Sequence, residues 1–127
     1  MKQISYNELK EQMTVVEYVD LCRKHKLRID LTNADLTNAD LHNADLSYAD
    51  LRWADLTNAD LCWAYLNDVD LTNADLSGAI LWGTRLYTAD LSNANLTNTN
   101  LRWAGLYAAN LTNADLHNAD LTGVIIQ

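Results

Sequence analysis

The sequence predicts an all-β solenoid, a four-sided β-helix of about five 20-residue coils behind an N-terminal α-helical cap. Three observations carry this prediction. Leu recurs at every fifth position from Leu31 to Leu121, and Ile126 continues the series. A small residue, usually Ala, stands two places before each of these centres, as at Ala34, Ala39, Ala44 and Ala49. The positions between them hold mostly Asp, Asn, Thr and Ser.

A spacing of five excludes the regular elements. In an α-helix five residues turn the chain by about 500°, so each Leu lands ~140° from the last and no apolar stripe forms. In a flat strand an odd period sends successive Leu to opposite faces. A chain that bends by a quarter turn every five residues buries every centre. Each short side then points one Leu and one Ala inward, and Thr, Ser and Asn occupy the corners, where tight turns favour them. Four pentapeptides close one coil, and coils stack about 4.8 Å apart with backbone groups pairing between them. Each buried Leu contributes about 2 kcal/mol before the entropy of ordering the chain is charged against it.

The repeated Ala-Asp/Asn-Leu unit resembles the consensus of the pentapeptide-repeat family over residues 29–127. The resemblance implies a right-handed quadrilateral β-helix with tandem β-turns. It also implies two kinds of role. Most such proteins have no established biochemical role, and a non-enzymatic protein-binding or scaffolding module is the leading expectation. Some relatives, the quinolone-resistance proteins among them, present an acidic rod to DNA gyrase as a mimic of DNA, which is the alternative. Those relatives dimerise through a C-terminal helical module, often place Phe at their centres and carry projecting loops. Here the helix is N-terminal, Phe is absent and the repeats run without interruption.

Residues 1–28 read as the cap that an open solenoid needs at its end. Ser5 and Glu8 fit a capping box, and Leu9, Met13, Val16 and Val19 follow a helical spacing. Arg23, Lys24 and Lys26 collect where they suit the helix dipole. One amphipathic helix is expected from about Tyr6 to His25. At the other end Leu111, Leu116, Leu121 and Ile126 are expected to face solvent. The expectation there is a monomer, or a weak homodimer joined end to end through that coil.

A period of 20 maps the surface. Face one is centred on Leu31, Leu51, Leu71, Leu91 and Leu111, and the other faces follow in steps of five. The residue before each centre is expected to point outward. It is acidic along most of faces one and two, but reads Asp45, Tyr65, Arg85, Gly105 and Ile125 on face four. Aromatic and basic residues gather on faces three and four: Trp63, Trp82, Trp103 and Arg102 on the former, Tyr65, Arg85, Tyr87 and Tyr107 on the latter. These eight residues form the candidate partner surface, since aromatics and Arg are enriched in interfaces. The competing expectation is that the rings stack between coils and serve the fold.

Other functions find no support. Residues 29–127 hold three Arg against 13 Asp, which disfavours direct contact with nucleic acid or anionic lipid. His25, His42 and His117 belong to the cap, face three and face two, so no metal site, cofactor site or Cys-His pair is expected. Two distant cysteines and no apolar leader suggest a reducing, cytoplasmic setting, and no apolar run reaches membrane-spanning length.

Overall fold

The computed structural model describes residues 3–127. From Asp30 onward each residue preceding a centre forms a parallel bridge with its equivalent 20 positions later. The series runs from Asp30 with Asp50 to Gly105 with Ile125. That register makes the chain a stack of four-sided coils. The centres from Leu31 to Leu106 are buried, most of them completely, and so are the Ala residues from Ala49 to Ala94. Core Leu and Ala therefore alternate along one continuous axial column, as the spacing predicts.

Each pentapeptide satisfies its own backbone. Around Leu31 the Leu31 and Asn33 amides donate to Asp50 and Arg52 carbonyls of the next coil, at 2.8 and 3.0 Å. Ala34 N–H closes the corner onto the Leu31 carbonyl at 3.1 Å. Thr32 N–H donates to the Asp30 carboxylate at 3.1 Å. Asp50 N–H returns to the Ile29 carbonyl of the coil before. No amide of such a unit is left without a partner, which is what burial requires. The third residue of each corner has positive φ, near 60° at Asn33, Asn38 and Asn43, so these are type II turns. Asn recurs there because its short amide tolerates the left-handed region.

The Asp columns thus have a structural task that their outward placement hid. Asp35, Asp55 and Asp120 each accept from the backbone N–H of the residue two ahead. Side-chain hydrogen bonds from Thr37, Thr57 and Thr122, joined by those amides, hold the three carboxyls below the usual carboxylate range. A carboxyl depressed by folding stabilises the native state above its unfolded value of about 3.9, and that stability disappears as pH falls through the lower folded value. The melting temperature should therefore fall steadily from about pH 5 to about pH 2. Thermal scans across that range check the prediction, and a rise would mean that repulsion between stacked carboxylates dominates instead.

Asp50 departs from the expected outward orientation. It is only 2% exposed, pulled inward between Arg28 of the cap and Arg52 of its own turn at 2.5 and 2.7 Å.

The cap also differs from a single helix. It comprises α1, Tyr6–Leu9, and α2, Val15–Lys24. Ser5 precedes α1 but makes no side-chain bond to its backbone, whereas Thr14 Oγ1 accepts from Glu17 N–H at 3.1 Å and starts a new helix. Two capping signals within ten residues divide the apolar stripe. α2 ends when Lys26 adopts φ 55° and Leu27 N–H bonds the Cys22 carbonyl, a Schellman closure. Tyr18, Val19 and Cys22 of α2 join the Leu column. Burial pushes the Tyr18 hydroxyl pKa up, and that hydroxyl donates to Ile4 O while accepting from Asp30 N–H. Arg23 reaches the Asp45 and Ser47 carbonyls at 2.9 and 2.8 Å, tying α2 to the first coil. At the far end Leu111 and Leu116 are half-buried, while Leu121 and Ile126 are exposed. Among the described residues no helix is long and apolar enough to cross a membrane.

Candidate partner surface

Several positions of faces three and four lack the Asp that elsewhere accepts the amide two residues ahead. The positions before the centre become Tyr65, Ile80, Arg85 and Gly105. Three of the four pentapeptides affected carry an aromatic residue just after the centre, namely Trp82, Tyr87 and Tyr107. Trp82, Tyr87 and Tyr107 thus follow positions that lack the Asp, whereas Trp63 and Trp103 stand in turns that Asp60 and Asn100 still close.

The structure brings four of the eight predicted residues together in two pairs. Trp63 and Trp82 meet edge to face, with centroids 4.7 Å apart and planes at 89°. Arg85 lies over the Tyr65 ring, 4.9 Å from its centroid. Arg102 pairs with Asp120 of the next coil at 3.9 Å. Trp103 and Tyr107 stand apart from other rings, and both are more than half exposed. Stacking between coils thus describes Trp63 and Trp82 but leaves the remaining rings unexplained.

A second device was not anticipated: rings of one coil lie over glycines of the next. A Cβ on Gly83 would approach the Trp63 ring to 2.6 Å, and one on Gly123 would approach the Trp103 ring to 2.5 Å. Tyr87 covers Gly105 in the same manner. The corner column consequently reads Asn43, Trp63, Gly83, Trp103, Gly123, with ring and glycine alternating. The signal was present, since two of these pairs are 20 residues apart, but it shows only when large residues and glycines are compared in register. Tyr87, Tyr107, Ile125 and Gln127 also line a shallow depression of about 300 Å³ at the distal end of face four.

Elsewhere, Asp40, His42 and Asp60 bring their ligand-type atoms within 4.8 Å of one another on the exposed part of face three. The Asp40 carboxylate contacts His42 Nδ1, a hydrogen bond that raises the imidazole's pKa and lowers that of the carboxyl. Sequence reading separated the histidines from one another but missed that Asp60 of the next coil comes beside the Asp40–His42 pair. Burial pushes the Cys62 thiol up to about 11, far from the thiolate a nucleophile needs.

Together these features define a four-sided solenoid whose distinctive surface is an exposed ridge of rings. Comparison with known proteins gives its lineage: a model described as pentapeptide repeats matches residues 28–61, 54–93 and 84–123, and the chain belongs to that family. Its members form right-handed quadrilateral β-helices and are generally structural or binding modules. A solved pentapeptide-repeat protein, Rfr23 of the cyanobacterium Cyanothece 51142, is 41% identical with a TM-score of 0.69, over 69% of this chain and 60% of its own. A pentapeptide-repeat protein from the thylakoid lumen of Arabidopsis thaliana is 38% identical, over 75% of this chain and 63% of its own, with a TM-score of 0.43. QnrB1, a plasmid-mediated fluoroquinolone resistance protein, shares the fold at 24% identity and a TM-score of 0.50, over 78% of this chain and 57% of its own. The chain thus spans about 60% of the length of these three relatives. No curated protein matches it in sequence.

Proposed function

We propose that the protein is a non-enzymatic binding module of the cytoplasm that recognises a partner protein through Trp63, Trp82, Trp103 and the neighbouring residues of face four. One observation carries this reading. Trp63 and Trp103 hold corner positions with φ 59° and 60°, where Asn stands in most other turns, and each ring remains 52% exposed. A large side chain in the left-handed region costs about 1 kcal/mol relative to Gly or Asn; packing on Gly83 and Gly123 offsets that cost, yet about half of each residue still faces solvent. Local strain retained alongside exposed aromatic area is what a binding surface shows.

The test uses the repeat's own alternative residue. Trp63→Asn with Trp103→Asn restores the common corner and should melt within a few degrees of the wild type. Affinity capture from the source cells should recover a partner with the wild type and lose it with the double variant. Recovery of the same proteins by both would remove the aromatic ridge from the binding surface.

The acidic columns of faces one and two favour the alternative, mimicry of DNA toward a topoisomerase. Many of those carboxylates are committed to their own turns, as at Asp30, Asp55 and Asp70. We expect gyrase supercoiling to be unchanged at micromolar protein, and dose-dependent inhibition would reverse the order of the two readings.

A further inference from the structure

We infer that the segment recognised by this surface is a proline-rich peptide in polyproline II conformation, bearing basic residues and running along the rod over the Trp63–Trp103 edge. This inference rests on faces three and four being the partner surface and specifies what they bind.

The repeat distances agree. Trp63 and Trp103 share one corner column two coils apart, with Gly83 between them. Two inter-strand spacings amount to about 9.6 Å. A polyproline II helix returns to the same orientation every three residues, after about 9.3 Å. A peptide with proline at every third position therefore presents its rings in phase with the two indoles. The intervening residues pass the Gly83 corner, which the Trp63 ring covers. Such a ligand is already extended in solution, so aromatic surfaces bind it with little loss of chain entropy.

The shape of the ridge separates this ligand from others that stack on aromatics. Trp63 and Trp82 are perpendicular, at 89°, and form ridges and notches rather than a level platform. Sugar rings and nucleobases lie flat on coplanar rings, whereas pyrrolidine rings fill notches between aromatic edges. The phosphates of a nucleic acid would also meet 13 Asp against three Arg in residues 29–127.

Charge complementarity gives the peptide its flanks. Of the two cations beside the ridge, Arg85 is held on Tyr65 and Arg102 faces Asp120. Asp60 and Asp120 stand at the two ends of the ridge in the same face-three column, and Asp68 lies beside it on face four; each accepts through Oδ1 from Cys62, Thr122 or Thr88, so it is the Oδ2 side that faces a ligand, shared at Asp120 with Arg102. Lys or Arg on either side of the prolines would meet these carboxylates, and the net negative charge of the rod would raise the rate of encounter with such a peptide.

The experiment titrates the full chain with a synthetic peptide that has proline at every third position and arginine at each end, following indole fluorescence and amide chemical shifts. Saturable binding is expected, with shifts confined to faces three and four. Trp63→Asn with Trp103→Asn, and a peptide with Ala in place of Pro, should each weaken binding about tenfold or more. Equal binding by the alanine peptide would reduce the effect to charge attraction and overturn the inference, as would saturable binding of cellohexaose on the same residues. A random displayed-peptide library, selected on the wild type and depleted on the double variant, separates this inference from the reading beneath it. Trp-dependent sequences without proline would overturn the ligand assignment and leave the partner surface standing. An absence of Trp-dependent sequences would remove both.

Discussion

Leu71→Ala should lower the free energy of unfolding by about 3–4 kcal/mol. Leu71 is fully buried in the middle of the rod, with neighbours above, below and beside it in the same column. Truncation loses the transfer energy of the side chain and leaves a void that the hydrogen-bonded coils cannot close. Solenoid stability is a sum of the repeats' own terms and the interfaces between them, and a central cavity weakens both interfaces of its coil. Leu121 has the same repeat position but is 46% exposed, so Leu121→Ala should cost less than about 1 kcal/mol. Chemical denaturation of the two variants together checks the argument. Equal losses would mean that the rod is not stabilised from the inside outward.

Asp50→Asn should cost about 2 kcal/mol, while Asp55→Asn should stay within about 0.5 kcal/mol of the wild type. Asn at this repeat position can still accept the amide two residues ahead, as Asn95 and Asn110 do for Thr97 and Thr112. The substitution therefore spares the turn and isolates the charge. Asp50 receives Arg28 Nη2 and both Nε and Nη2 of Arg52, and its side chain is only 3% exposed. Burial pushes the Asp50 carboxyl pKa up, but the hydrogen bonds and charge of Arg52, with the charge of Arg28, outweigh it and leave the group below its ordinary value. Both guanidiniums are about half exposed and can rehydrate, which keeps the loss below that of stranding a buried charge. Because Arg28 belongs to the linker after α2, the variant should also loosen the cap. Faster amide exchange in α2 than in the central coils would report it, and unchanged exchange would confine Asp50 to its own turn.

The rod itself was legible because its signal is periodic. One Leu in five and one Ala two places earlier are incompatible with helix or flat strand, and the observed bridges follow the same register of 20. Asn at the corners likewise foretold tight turns, although the turn type and its left-handed residue needed the backbone angles. Contacts that depend on which side chain leans across to the next coil were harder to read. Asp50 has the same repeat position as Asp55, and only Arg28, which lies outside the repeat, draws it inward. Trp63 over Gly83 was readable from the register, but Tyr87 over Gly105 was not, because the ring crosses 18 residues rather than 20. The split of the cap was written in Thr14 and Glu17, yet the earlier Ser5–Glu8 pair gave the same signature and obscured it. As for the candidate partner surface, the sequence names its residues by face but not the contacts among them. Its relief could not be read, since ridges and notches arise from ring orientation.

The bridge register has a consequence for how such a rod can change length. Every coil pairs only with the coil before and the coil after it, so removing 20 residues in frame shortens the object by one storey and leaves each facade intact. Removing five residues keeps the interior equally well filled but rotates everything downstream by a quarter turn. An indole that stood above Trp63 would then look out over a different side. The interior thus tolerates any multiple of five, whereas a ligand spanning several storeys tolerates only multiples of 20.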